Sequence, residues 1–143
     1  MQTKKERTIR SLALFSECSS GDITWIAAHA DEIDIPAGRT LAYEGETVRE
    51  FIVVVDGACA AADGMGDVLL GRGSWYGEVG LLSDERHNAT VETRSRARLL
   101  VFGVPAFRGL LDRAPTVRER LLRALSTRVR EIDQESLSLR AVS

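Results

Sequence analysis

The sequence contains few of the residues that catalytic and metal-binding sites require. Its two cysteines, Cys18 and Cys59, lie far apart and fit no C-x-x-C spacing, so no metal-binding or thioredoxin-like motif is indicated. We expect both to be buried free thiols. The two histidines, His29 and His87, are not clustered with cysteine and carboxylate residues at ligand spacing, so neither a metal site nor a catalytic triad can be assigned. The sequence therefore predicts a protein that is not an enzyme, with no catalytic residues, metal or cofactor.

The chain also lacks a basic excess and a long apolar run. Its net charge is -2 with 28% charged residues, whereas nucleic-acid-binding proteins more often carry a positive excess. The polar N-terminus leads to no apolar stretch long enough for a signal peptide or a transmembrane helix. A chain of 143 residues is most simply one domain. We therefore expect a single cytoplasmic domain over residues 1–143 that binds neither a membrane nor DNA.

Short apolar segments separated by glycine-containing turns fill the middle of the chain. About eight of them lie between residues 32 and 104 without long helices between them, which indicates a double-sheet jelly roll. The longest, Phe51–Val55, ends at the turn signal Asp56-Gly57 and predicts a hairpin with Ala58–Ala62. Two small helices are expected over residues 8–31. The predicted fold class is mainly β with flanking α: a double-stranded β-helix (jelly-roll) barrel between N-terminal helices and a long C-terminal helix.

Helices are predicted after the β region, over residues 105–139. Pro105 and Pro115 each suit the first turn of a helix. The longer helix carries apolar positions spaced alternately three and four apart, interrupted once by serine: Leu122, Leu125, Val129, Ile132, Ser136 and Leu139. These residues form an apolar seam along one side of the helix. The seam predicts either a parallel homodimer or packing of the helix on the barrel. The arginines of the helix alternate with acidic residues, which favours a salt-bridged surface over a DNA contact.

The most informative segment is Tyr76-Gly77-Glu78-Val79-Gly80-Leu81-Leu82, followed shortly by His87-Asn88-Ala89-Thr90-Val91. Gly77 allows the backbone to approach a ligand closely, and the residues after it favour a short helix whose first amides would attract an anion. Glu78 offers acceptor oxygens that would repel a phosphate but accept hydrogen bonds from a sugar hydroxyl. The segment therefore predicts a pocket for a sugar joined to a phosphate.

This segment resembles the phosphate-binding cassette of the cyclic-nucleotide-binding domain family, which includes catabolite activator protein and the regulatory subunits of protein kinase A. The resemblance implies that a cyclic nucleotide, cAMP or alternatively cGMP, is bound by cassette residues: Gly77, Glu78, Val79, Gly80, Leu81, Arg86, His87, Asn88, Ala89 and Thr90. Glu78 would accept the ribose 2′-hydroxyl; alternatively, it only satisfies backbone amides at the helix start. The resemblance also implies that the base is capped from the long helix, at Ile132 and Asp133.

The arginine of the family's cassette falls on His87 in this sequence, and Arg86 lies one position earlier. An arginine presents a rigid fork of donors and stays charged, whereas a histidine offers at most one contact and titrates near neutral pH. His87 therefore predicts either a weaker, pH-dependent phosphate contact or an exposed loop histidine in a pocket no longer used for nucleotides. Arg86 could supply the charge, in competition with Asp84 and Glu85.

These expectations combine into two predicted functions. The first is a cyclic-nucleotide-binding regulatory module that senses cAMP and acts on an unknown effector protein, without an output domain of its own. The second is a related domain that no longer binds nucleotide tightly and serves protein interaction or dimerisation. Gly77 and Glu78 favour the first, whereas Asp84, Glu85 and His87 favour the second.

Overall fold

The computed structural model describes residues 2–126, which form a β sandwich flanked by helices. The helices are α1 (Lys4–Ser11), α2 (Ser20–His29), α3 (Glu78–Ser83), α4 (Val104–Arg113) and α5, which begins at residue 115 and is described to 126; a 3-10 turn spans Ala13–Phe15. The strands are β1 (Asp31–Ile35), β2 (Thr40–Ala42), β3 (Glu50–Asp56), β4 (Cys59–Ala62), β5 (Asp67–Leu70), β6 (Trp75–Tyr76), β7 (Thr90–Thr93) and β8 (Ala97–Gly103). The mainly β class with flanking helices is confirmed.

The first helix begins earlier than the sequence pattern predicted. It starts at Lys4 rather than near residue 8, because the Thr3 hydroxyl accepts a hydrogen bond from the Glu6 amide at 3.1 Å and caps the helix. The Thr3 hydroxyl in turn donates to the Glu6 carboxylate at 3.2 Å. Thr3 is therefore the N-cap of α1, and its hydroxyl satisfies one of the amides that the first turn would otherwise leave unpaired.

The strands form two four-stranded antiparallel sheets that pack face to face. The strand orders are β1-β8-β3-β6 in the first sheet and β2-β7-β4-β5 in the second. In the described part of the chain, each edge strand pairs with one neighbour only, so the sheets form a jelly-roll sandwich and are not closed into a barrel. The predicted jelly roll is thus confirmed, while the closed barrel is a correction.

The predicted hairpin between Phe51–Val55 and Ala58–Ala62 is wrong. Strand β3 pairs with β8 and β6 in the first sheet, whereas β4 pairs with β5 and β7 in the second. The turn at Gly57, with φ +84°, carries the chain from one sheet to the other. A turn signal reports a local reversal of the backbone, and long-range pairing with β7 and β8 decides the partners.

Strand β3 is buried on both faces, which explains its continuous apolar sequence. On one face, Phe51, Val53 and Val55 pack under the helices together with aromatic rings from the 3-10 turn, β8 and α4. On the other face, Ile52 and Val54 pack between the two sheets. Both cysteines are buried and free as predicted, and burial raises the pKa of each thiol.

Helix α5 packs on the core through a different face from the predicted seam. Val117 and Leu121 are fully buried under the first sheet, whereas Leu122 is 48% exposed. The prediction that the seam packs on the sheets is therefore wrong at Leu122. The seam residues from Val129 onward lie outside the described residues, so the homodimer remains a prediction.

We expect Gly57→Ala to destabilise the protein by about 2 to 4 kcal/mol, because the backbone has positive φ and a Cβ would lie 2.8 Å from the Cα of Ala97. Gly64→Ala is the matched control: its φ of +85° is similar, but no atom lies within 4 Å of the added Cβ. Its expected cost is about 1 kcal/mol. Chemical denaturation measures both, and equal losses would contradict the steric argument.

Candidate functional site

Close packing against the start of β3 fixes the position of the cassette. Gly77 has φ +102°, and a Cβ at this position would overlap the carbonyl oxygen of Glu50. A Cβ on Gly80 would overlap the Val48 side chain and lie 2.6 Å from the carbonyl oxygen of Glu85. Both glycines are therefore required by the protein's own packing as well as suited to approach by a ligand.

A cavity of about 450 Å³ opens between this cassette and the β4–β5 hairpin. Its size suits a small-molecule ligand, since such sites measure roughly 300–1,000 Å³. The structure brings most of the predicted site residues to this cavity: Gly77, Glu78, Val79, Gly80, Arg86, His87, Asn88 and Ala89. The cassette thus forms one continuous wall.

Two predicted residues do not line the cavity. The Leu81 side chain packs against the main hydrophobic core. The Thr90 hydroxyl accepts a hydrogen bond from the Glu44 amide at 3.1 Å, which ties β7 to the end of β2. Direct ligand contacts by these two residues remain predictions. The predicted base-capping residues, Ile132 and Asp133, lie outside the described residues.

The opposite wall was not predicted from the sequence. It comes from the β4–β5 hairpin and the adjoining strands: Ala61, Asp63, Val68, Leu70, Trp75, Tyr76 and Val91, with Val48 beside the cassette. These side chains are mostly apolar, so this wall suits a flat, weakly polar group. The alternating apolar residues of the hairpin were a signal, but only the sheet pairing places them opposite the cassette.

Glu78 is the most deeply buried carboxylate of the cavity. It begins α3 and is 3% exposed, although Glu is almost never buried without an interaction. Its position within the cassette is therefore maintained at an energetic cost of desolvation. A buried carboxylate can accept hydrogen bonds from ligand hydroxyls that reach the cavity floor.

The cavity offers less positive charge to an anionic ligand than the family's cassette arginine would. The Arg86 guanidinium donates to the carbonyl oxygen of Gly45 at 3.0 Å, and this contact, rather than Asp84 or Glu85, occupies it. His87 is fixed through its backbone, whose amide donates to the carbonyl of Glu46 at 2.9 Å. Burial lowers the pKa of His87, an effect opposed by the nearby Glu46 carboxylate. The free cavity therefore holds a mostly neutral imidazole at pH 7.

A second cavity, of about 460 Å³, lies behind the same wall. The two cavities share Tyr76, Arg86 and His87, and the second is completed by the β2–β3 connection, including Glu46 and Arg49. Of the two cavities, the cassette cavity is the better candidate for a nucleotide because it alone contains Glu78.

Among residues 2–126, no three histidine, cysteine or carboxylate side chains group closely enough to hold a metal ion.

Comparison with known proteins identifies the family. The family model of the cyclic nucleotide-binding domain matches residues 32–114. The chain is 34% identical over 80 residues to the cAMP-dependent protein kinase regulatory subunit of Schizosaccharomyces pombe, covering 54% of this chain and 19% of that protein. It is 26% identical over 111 residues to a cyclic nucleotide-gated potassium channel of Rhizobium etli, covering 78% of this chain and 31% of the channel. The chain therefore belongs to the cyclic nucleotide-binding domain family.

The fold agrees with this assignment. The chain superimposes with a TM-score of 0.78 and 16% sequence identity on a regulatory subunit of a cAMP-independent protein kinase A from Trypanosoma brucei. That structure is a triple mutant bound to cAMP in the A site. The match covers 94% of this chain and 50% of that one. The chain spans less than a third of the length of the two curated relatives. In the part of the chain that the structure describes, no helix is long and apolar enough to cross a membrane.

Tyr76→Phe should stabilise the protein by about 1 kcal/mol, because the Tyr76 hydroxyl is buried without a hydrogen-bond partner among the described residues. Burial also raises the pKa of this phenol, so it stays neutral at physiological pH. Tyr43→Phe is the control, since Tyr43 is exposed and its hydroxyl can be solvated. Thermal and chemical unfolding compare the variants; a loss of stability in Tyr76→Phe would show that the hydroxyl has a partner.

Proposed function

We propose that this chain is a regulatory module that binds a cyclic nucleotide in the cassette cavity. The observation that carries the proposal is the burial of Glu78 in the same cavity wall as Gly77, Gly80 and His87. A buried carboxylate beside a glycine-lined backbone suits a ligand that joins a sugar to a phosphate. The regulatory relatives support a binding role rather than a catalytic one.

In this proposal the ribose and the cyclic phosphate of the ligand contact different parts of the cassette. The ribose 2′-hydroxyl donates to Glu78, and the cyclic phosphate meets the backbone amides near Gly80 and the side chain of His87. A hydrogen bond to a charged partner contributes about 1.5–3 kcal/mol, so Glu78 would supply a large share of the affinity. Arg86 contributes its charge at longer range while its guanidinium stays on Gly45.

The sequence resemblance favours cAMP as the ligand. The fission yeast relative is named as cAMP-dependent, and the trypanosome subunit is described as cAMP-independent, with cAMP bound in a triple mutant that introduces one arginine. In this chain, His87 in place of the arginine of the family's cassette favours weak binding. The engagement of Arg86 with Gly45 is the observation that favours the second function, a domain that keeps the fold without tight nucleotide binding.

The output of the module is also a proposal. A ligand that bridges the cassette and other parts of the domain favours the conformation in which they are close, which is how binding would be transmitted to an effector protein. Homodimerisation, cytoplasmic location, base capping by Ile132 and Asp133, and the absence of DNA binding remain predictions.

Glu78→Gln should weaken cAMP binding at least about tenfold, because it removes the charged acceptor while keeping the size of the side chain. Glu85→Gln is the matched control: Glu85 follows α3, is exposed and does not line the cavity. Isothermal titration with cAMP and with cGMP measures the affinities. No heat from either nucleotide with the unsubstituted protein at high micromolar concentration would overturn the sensor function and leave an interaction module.

Binding should strengthen as the pH falls from 8 to 6. His87 is mostly neutral in the free protein because burial lowers its pKa below 6.5, and an anionic phosphate would raise that pKa in the complex. Binding therefore takes up a proton, and affinity rises until the pH drops below the lowered pKa of the free protein.

His87→Arg separates this effect from other titrations, because a guanidinium stays charged at every pH used. We expect this variant to bind cAMP about tenfold tighter at pH 8 and with little change at pH 6. Titrations at both pH values provide the test. An unchanged pH dependence in His87→Arg would show that another group takes up the proton.

A further inference from the structure

We propose that the chain forms a weak homodimer through the free edge of strand β5, with the β5 strands of two copies paired antiparallel about a twofold axis. This surface is separate from the apolar seam of α5, and the inference does not rest on what binds in the cassette cavity. Strand β5 lies at the edge of the second sheet and pairs with β4 alone among the described residues. Its outer edge therefore carries backbone amide and carbonyl groups that a further strand can pair with.

Exposed apolar side chains are concentrated on the β4–β5 hairpin. Of the six large apolar side chains that are exposed in residues 2–126, three lie on this hairpin: Met65, Val68 and Leu69. Val68 and Leu69 are 62% and 69% exposed, and as successive residues of a strand they point to opposite faces of the sheet. Both faces of the edge thus present apolar surface to solvent, and pairing with another strand would cover it.

The sequence of β5 is complementary to itself under a twofold axis. Directly opposite residues of an antiparallel pair lie on the same face of a sheet, so a pair centred on Leu69 sets Leu69 against the partner's Leu69. The same register sets Val68 against the partner's Leu70. Asp67 then lies opposite the partner's Gly71, which has no side chain. The central contacts of the pair are therefore all between apolar side chains.

The one charged residue of β5 does not oppose this pairing. Asp67 forms an ion pair with Arg94, with 2.7 Å between the carboxylate and the guanidinium. In the register centred on Leu69, the two Asp67 residues lie four residues apart along the strand direction, which is about 14 Å. Salt at physiological concentration screens exposed charges beyond about 8 Å, so their mutual repulsion is small. A second copy therefore meets no unpaired charge along this strand.

The other sheet edges lack this self-complementarity. Strand β1 carries Asp31, Glu32 and Asp34, and a twofold pair centred on residue 32, 33 or 34 would place carboxylates directly opposite each other. One guanidinium, that of Arg98, is shared by Glu32 and Asp34. Strands β2 and β6 span only three and two residues. Of the four edge strands in the described part of the chain, β5 is thus the one that suits a second copy.

The expected dimer is weak because the paired edge is short. Strand β5 has four residues, whereas a standard specific interface buries about 1,600 Å² in total. We expect a dissociation constant of about 10–100 μM. Sedimentation equilibrium of the full chain, from about 1 μM to about 1 mM, should show a reversible monomer–dimer equilibrium. A chain that stays monomeric throughout this range overturns the inference.

Leu69→Lys should weaken the dimer at least about tenfold, because it sets two ammonium groups against each other at the centre of the pair. Leu69 is mostly exposed, so the variant should keep the fold, which chemical denaturation checks. Met65→Lys is the matched control, since it adds the same charge to the same hairpin before β5 begins. It should change the dissociation constant by less than about twofold.

Leu122→Lys separates this edge from the α5 seam, because Leu122 is an exposed residue of that seam. This variant should dimerise like the unsubstituted protein. A dimer that survives Leu69→Lys, or one that is lost in Leu122→Lys alone, overturns the inference. Hydrogen exchange gives a second readout: amides on the outer edge of β5 should exchange more slowly where the dimer predominates, and equal rates at low and high concentration would contradict the pairing.

Discussion

The approach of the Gly77 backbone to the carbonyl of Glu50 determines where the whole cassette lies. Strand β3 is buried on both faces, so its starting residue has little freedom to move away. A side chain on Gly77 would overlap that carbonyl, and one on Gly80 would overlap Val48. Helix α3 is thus held against the start of a strand that is buried on both faces, which places Glu78 in the wall of the cavity. Preorganisation of this kind reduces the entropy lost on binding.

The charges around the cavity follow from that placement. Because the segment after α3 must return to β7, it runs beside the β2–β3 connection, where Arg86 bridges to Thr47 and its guanidinium meets Gly45. The hydrogen bond to Gly45 stabilises the loop and leaves the Arg86 guanidinium less available to an anionic ligand. His87 then faces the cavity with a neutral ring at pH 7, since burial outweighs the nearby Glu46 carboxylate in its effect on the pKa.

Much of the fold and half of the candidate site could be predicted from the sequence. The strands and the cassette are encoded locally, by apolar runs, glycine turns and a short motif. The partner of β3 could not be predicted, because the signal at Gly57 marks a turn and does not reveal that the chain crosses between sheets. The start of α1 was predicted too late, because the polar residues Thr3 to Glu6 add no apolar signal although Thr3 caps the helix.

The two walls of the cavity differ in what they can recognise and in how the sequence encodes them. The cassette is one continuous segment, and the sugar and phosphate that we propose it binds are common to all cyclic nucleotides, so a local motif suffices to predict the class of ligand. The hairpin wall depends on the local pairing of β4 with β5 and also on the pairing of β4 with β7, which joins residues far apart in sequence. In the proposed complex the base would contact residues of that wall, which no cassette motif includes. Family membership therefore constrains the nucleotide's sugar phosphate more tightly than its base.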